Sequence, residues 1–253
     1  MERKSFIEVL ENNTKTHEVV VGYNSEGVKT IDLKEHPSII ITGETGSGKS
    51  ILVDQIVCQL IKNNTSLDME FFFVDSSGVE LNLYSKTRYA KESALRDKKA
   101  SLEIISKVLR EMDYRYELLN SKGYLSADEY NEREEAKISD LVLVIDDNDT
   151  LIRSEDISKQ LTALMSGIKD VNIYLICAFS NTDNYFFKND KNIYSDVRIS
   201  FDMSDKEHAS YINIRGAEDL KIGKFYMIED EENKRQYYNF DFDDKIIVDI
   251  LNK

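Results

Sequence analysis

Proline is almost missing from this sequence: among 253 residues there is one, Pro37, and cysteine and histidine are nearly as scarce, at two and three. With 41% hydrophobic and 32% charged residues, so little proline excludes the disordered and fibrous classes and leaves a globular chain that folds on its own core. Cys58 and Cys177 each lie inside an apolar run. They are expected as small buried hydrophobes, which excludes a disulfide framework or a thiolate metal site and suits a reducing compartment. His17, His36 and His208 are too far apart in sequence to suggest a metal cluster, and no chemistry is assigned to them. Long hydrophobic runs are also lacking. No stretch approaches the roughly 18 apolar residues of a membrane span, and Met1-Glu2-Arg3-Lys4 leads into no secretory apolar core. The expected location is cytoplasmic, with no direct membrane insertion and membrane association only through a larger chain or a partner. Basic residues are the minority, 33 against 47 acidic, for a net charge of −14. This excludes a protein that coats nucleic acid with its whole surface. Residues 86–110 are the local exception, with eight basic side chains against three acidic ones. That segment is expected as a solvated helix face with charge pairs such as Glu103 with Lys107.

What is present is an alternation of short β-branched apolar runs with longer helical patterns, the pattern of βαβ units feeding a largely parallel sheet. Strands are expected at 18–21, 28–31, 38–42, 70–74, 141–145, 172–178, 197–201, 224–228 and 236–240. Helices are expected at 50–62, 98–121, 126–136, 157–168, 205–213 and 243–252. The central strands are almost continuously apolar, as strands covered on both faces must be. Gly22-Tyr23-Asn24-Ser25-Glu26-Gly27 is expected to turn a hairpin between the first two strands. The acidic run Glu229-Asp230-Glu231-Glu232 is expected as a solvated turn between two late strands. The length suits one α/β domain over 1–253, with 1–34 leading a strand into the sheet and 35–253 forming the core.

Between the strand at 38–42 and the helix at 50–62 lies Gly43-Glu44-Thr45-Gly46-Ser47-Gly48-Lys49-Ser50. The strand-loop-helix setting makes this a phosphate-binding loop: three glycines let consecutive amides converge on a phosphate at the start of a helix. Lys49 is expected on the β- and γ-phosphates of ATP, and the Ser50 hydroxyl on Mg²⁺. A second element is needed to hold the metal's water shell and activate the attacking water. Asp146 and Asp147, at the end of the apolar run 141–145, are expected in those two roles, at the carboxyl end of a strand where open α/β sheets bind ligands.

These residues resemble the motor domain of the FtsK/SpoIIIE family of DNA translocases, and the resemblance covers most of the chain. The phosphate loop is similar to that family's GTTGSGKS, and His36-Pro37 to the PHLL that precedes it. Asp75 with Glu80-Leu81 and Tyr84 resembles IDPK…EL…Y, and Glu111-Met112 with Arg115-Tyr116, then Tyr130-Asn131, resembles EMxxRY…YN. Gly216-Ala217-Glu218 with Gly223-Lys224 resembles the closing GAExLLGxGDML. The resemblance implies a RecA-like P-loop NTPase with helices on both faces of a twisted, largely parallel sheet. It also implies a homohexameric ring that threads double-stranded DNA using ATP. Related ring ATPases of conjugation and type VII secretion share that core, so a secretion or conjugation membrane complex is the alternative partner. Three positions depart from the family: Asp147 stands where it has glutamate, Ser180 where it has a glutamine, and Lys169 where it has an arginine. Each departure implies slower hydrolysis, and together they imply the alternative of an ATP-binding module that regulates assembly. Arg198 matches the family's arginine in PTRIAF and is a candidate for nucleotide or subunit contact.

Overall fold

In the computed structural model the described residues are 4–147, 151, 153–180, 182, 186–187, 195–203, 210–229 and 233–252, with the backbone alone at Asp147. Their elements run, in chain order, α1 (Phe6–Asn12), β1 (Glu18–Asn24), β2 (Gly27–Asp32), β3 (Ser38–Thr42), α2 (Lys49–Asn63), β4 (Met69–Asp75) and β5 (Ala90–Leu95). There follow α3 (Lys98–Lys122), α4 (Ala127–Arg133), β6 (Asp140–Asp147), α5 (Glu155–Gly167), β7 (Ile173–Phe179), β8 (Val197–Ser200), β9 (Lys224–Ile228), β10 (Arg235–Tyr238) and α6 (Asp244–Leu251).

The strands form one ten-stranded sheet in the order β2-β1-β10-β9-β8-β3-β7-β6-β4-β5. From β8 to β5 neighbours are parallel, and from β8 to β2 they are antiparallel. Period-two alternation decides which side chain faces which layer. Ile39 and Ile41 of β3 share one core with Val142 and Val144 of β6, while Ile40 points into the other with Leu141, Leu143 and Ile145. The first core is closed by α2 through Leu52, Ile56 and Leu60, and the second by α3 and α5 through Ile105, Val108, Leu161 and Leu164. Each such fully buried aliphatic side chain contributes roughly 1.5–3 kcal/mol, which is why helices cover both faces. The largely parallel sheet with two helical layers is the expected α/β architecture.

Several expectations need correction. The basic segment is not all helix face: residues 90–95 form an edge strand, and Lys107 pairs with Glu92 of that strand at 2.6 Å, not with Glu103. An edge strand needs only a small apolar contact, here the buried Ala94, so its Lys-Glu-Ser composition conceals it. The chain opens with a helix, α1, before any strand; its N-cap Ser5 accepts from the Ile7 amide. Gly22 belongs to β1 and not to the turn, because Asn24 already pairs with Gly27. It stands at an irregularity in the β1–β2 pairing, where a Cβ would come within 2.6 Å of Phe225. Helix α4 ends at Arg133, short of 136. Residues 205–209 of the expected helix 205–213, together with His208, Asn181 and 230–232 of the acidic run, lie outside the described residues; Glu229 pairs with Lys29.

Two of the recognisable sequence segments are structural pins. The Arg115 guanidinium, 4% exposed, donates to the carbonyls of Val171 at 2.8 Å and Asn172 at 3.0 Å and pairs with Glu111. The Tyr116 hydroxyl donates to the carbonyls of Gly167 and Lys169. Together they moor α3 to the connection that feeds β7. Asn131 does the same locally, donating to the Ile138 carbonyl and accepting from its amide. Replacing Arg115 by alanine removes its hydrogen bonds to the Val171 and Asn172 carbonyls, of which the latter keeps the Leu141 amide at 3.0 Å. The Arg115→Ala variant is expected to lose about 2–4 kcal/mol in urea unfolding with an unchanged slope. A loss under about 0.5 kcal/mol would show that water replaces the guanidinium without cost.

Candidate functional site

The parallel register brings four chain segments to one rim. Thr42 of β3 is level with Phe179 of β7, which is level with Asp147 of β6, and Asp146 is level with Asp75 of β4. The glycine-rich loop, Ser180, the acid pair and the loop after β4 therefore all leave the carboxyl edge of the sheet together. Strand β3 also lies between β7 and β8 in the sheet.

The loop itself is held in backbone conformations that side chains rarely adopt. Gly43 has φ +147° and Gly48 φ +117°, and a Cβ on Gly43 would lie 2.7 Å from both the Phe201 Cβ and the Ser47 Oγ. The Glu44 amide donates to the Asp202 carbonyl at 2.8 Å, and the Gly223 amide donates to the Ser47 carbonyl at 3.2 Å. Gly48 is the N-cap of α2 and supplies no side-chain cap. The first-turn amides of that helix have no intrahelical acceptors, as at any helix start, and are aimed out of its positive end.

Lys49 is 5% exposed, and its ammonium donates to the Glu44 carbonyl at 3.0 Å. Burial lowers its pKa, opposed by the charges of Asp146, Glu80 and Glu44. The Ser50 hydroxyl donates to Asp146 Oδ2 at 3.1 Å, joining the loop to the end of β6. Burial pushes the Asp146 carboxyl up to about 7; the Ser50 hydrogen bond and Lys49 pull against it, while Glu80 and Asp75 push with it. The donor set fits a triphosphate with a hard divalent cation. There is a buried ammonium, an uncapped helix start, a serine hydroxyl touching a carboxylate, and in Ser47 Oγ a buried polar atom without a hydrogen-bond partner. Asp147 follows Asp146 on β6 at the same rim, and its side chain lies outside the described atoms. Thr45 and Gly46 are exposed at the tip of the loop.

Two of the departures from the family pattern separate in space. Ser180 directly follows β7 at the rim of the loop, whereas Lys169 lies before the same strand, about 20 Å away at the opposite edge of the sheet for a strand of this length. Lys169 is therefore remote from its own chain's phosphate loop. Arg198 sits inside β8, level with Ile40 of β3.

Sequence reasoning also passed over a second acid beneath the loop. Asp54 lies one helical turn after Ser50, is almost fully buried and accepts from the Tyr84 hydroxyl at 2.9 Å. Burial pushes its carboxyl up to about 8; the Tyr84 hydrogen bond opposes this, and the charges of Glu80, Asp146 and Asp244 add to it. The loop that carries Glu80 and Tyr84 is wrapped around Asp75, which accepts from the amides of Ser77, Gly78 and Leu81. The i,i+4 spacing of Ser50 and Asp54 was a signal available in advance. Burial of the acid was not, because it depends on the loop after β4.

The FtsK/SpoIIIE family profile matches residues 8–182. Among curated proteins, the DNA translocase FtsK of Listeria monocytogenes is 27% identical over 192 residues, covering 69% of this chain and 25% of its own length. The DNA translocase SftA of Bacillus subtilis is 28% identical over 206 residues, covering 78% and 22%. The chain thus spans about a quarter of the length of these relatives. Among solved structures, the pCW3 conjugation coupling protein TcpA, in a monomer form with ATPγS, superimposes with a TM-score of 0.82 at 25% identity, covering 95% of this chain and 71% of that one. The cytoplasmic domain of the type VII secretion ATPase EccC of Thermomonospora curvata has a TM-score of 0.81 at 16% identity, covering all of this chain and 35% of that one, a likeness of fold. Among the described residues no helix is long and apolar enough to cross a membrane.

Asp54 keeps its proton in the fold to about pH 8, whereas unfolded it releases it near pH 4. Between those values the folded state binds more protons than the unfolded one, so this acid's contribution to stability falls as pH rises, and it is constant below and above the window. Asp54→Asn keeps an acceptor for Tyr84 and removes the titration. The variant is expected to gain at least ~2 kcal/mol on the wild type between pH 5 and pH 8.5 in chemical unfolding. A difference independent of pH would mean that Asp54 is ionised in the fold throughout.

Proposed function

The chain belongs to the FtsK/SpoIIIE family, and from that premise we propose that it is the ATP-driven motor unit of a translocase that moves double-stranded DNA. The observation that carries this reading is the contact of Ser50 with Asp146 beside the buried Lys49, which joins the phosphate loop to the acidic end of β6. In this reading residues 1–253 act as one domain. The loop and first-turn amides not already bonded within the fold, as those of Glu44 and Ser47 are, would wrap the β-phosphate, Lys49 would neutralise charge on the β- and γ-phosphates, and the Ser50 hydroxyl would ligate Mg²⁺ while Asp146 ordered the water around it. Bound ATP and Mg²⁺ supply the phosphoryl bond to be broken and the charge that stabilises its cleavage. Asp147 takes the proton of the attacking water, from a carboxylate one methylene shorter than glutamate.

Assembly into a cytoplasmic hexameric ring around DNA is part of the same proposal. It draws on the DNA translocases the chain is similar to; in such a ring Lys169, remote from its own chain's phosphate loop, would have only a neighbour's site to serve, without the bidentate grip of an arginine. A second reading is favoured by Ser180 at the rim position where the family has glutamine. Here the chain binds ATP without appreciable turnover and regulates a secretion or conjugation complex at the membrane through a partner.

ATP binding and hydrolysis by the purified chain and by Lys49→Ala, with and without double-stranded DNA, test both. The motor reading expects hydrolysis that DNA stimulates and that Lys49→Ala reduces by about 100-fold or more. Binding that depends on Lys49, with no turnover under either condition, selects the regulatory module. Absence of ATP binding by the wild-type chain sinks both.

A further inference from the structure

The rear of the phosphate loop is gripped by a part of the chain that lies beyond the family match. Asn239, just past β10, is 2% exposed, and its amide Nδ2 donates to the Gly48 carbonyl at 3.2 Å. Its own backbone amide donates to the Gly223 carbonyl at 2.8 Å, and the Gly223 amide donates in turn to the Ser47 carbonyl at 3.2 Å. One residue further on, the Phe240 carbonyl accepts from Gln55 of α2 at 3.3 Å. Two successive carbonyls of the loop, at Ser47 and Gly48, are therefore pulled backward by the segment around β9 and β10. That orients the peptide planes whose opposite faces carry the amides of Gly48 and Lys49.

The satisfaction of these groups is uneven. Asn239 Oδ1 has no hydrogen-bond partner although the side chain is buried, whereas the Gly48 carbonyl has a second donor, the Leu52 amide, at 3.2 Å. An asparagine kept solely for stability would be a poor choice here, because its buried free acceptor costs more than an apolar side chain of the same shape. The orphaned acceptor points to a role in setting the loop.

We propose that Asn239 is a positioning residue of the phosphate loop, whose amide fixes the Gly48 peptide and so sets the affinity of the loop for a nucleoside triphosphate. The proposal rests on the nucleotide-binding reading above. It makes the loop's geometry depend on the C-terminal strand pair.

The probe is a fluorescent, non-hydrolysable ATP analogue with Mg²⁺, titrated into the wild type and into Asn239→Leu, Asn239→His and Lys49→Ala, each also followed by thermal unfolding without nucleotide. Asn239→Leu removes the donor and the orphaned acceptor together and leaves Gly48 its helix partner. It is expected to keep or raise the unfolding midpoint of the free protein while weakening the analogue about tenfold. Asn239→His places a ring Nδ1–H the same number of bonds from the backbone and is expected to recover most of that affinity. Wild-type affinity in Asn239→Leu overturns the proposal. So does a matching fall in affinity and midpoint in both Asn239 variants, since that is the signature of a packing residue. Failure of the wild type to bind, with Lys49→Ala indistinguishable from it, overturns the nucleotide-binding reading itself.

Discussion

The hydrogen bond from Ser50 to Asp146 is short-range chemistry imposed by long-range register. The two residues are far apart in the chain and meet because β3, β7 and β6 are parallel and in step, so that each strand delivers its next residues to one rim. Were one strand to slip by a single residue, every side chain on it would change faces and the contact would be lost along with the packing of both cores. The packing of alternate side chains into two separate cores, which holds the register, thus also holds the site, and the helical layers that bury them act at the site from a distance.

Burial at that rim has an electrostatic consequence. Lys49, Asp146 and Asp54 are withdrawn from water without a fully compensating partner, and each is pushed toward its neutral form. One cation faces several acids there, with Glu80 and Asp75 close enough to add to the shifts of Asp146. Such an arrangement costs stability and is retained where a ligand supplies the missing charges, anionic phosphate for the ammonium and a cation for the carboxylates. In the proposed function, ATP with Mg²⁺ would supply both signs.

The family segments divide into two kinds once the geometry is known. The glycine-rich loop and Asp146 face the site, whereas Arg115, Tyr116 and Asn131 hold together the connections that lead to β6 and β7. The second group acts on the site by fixing where strands begin. This explains how a motif far from the phosphate loop belongs to the same pattern. The antiparallel pair β9–β10 lies beyond the family match, yet the residues flanking it, Gly223 and Asn239, reach the loop directly.

By itself the sequence determined the elements whose signals are local. Buried parallel strands are short apolar runs, α2 and α3 have apolar periodicity with recognisable ends, and the glycine-lysine-serine loop needs only its own neighbours to take shape. Edge strand β5 and helix α1 escaped because an exposed strand and a short amphipathic helix need little apolar surface. The tertiary structure alone decided which acids are buried, that Lys107 pairs with Glu92, that Lys169 is remote from the rim, and that Asn239 sits behind Gly48. Those outcomes turn on desolvation and on contacts between distant segments, quantities that no window of residues contains until the sheet has set its order.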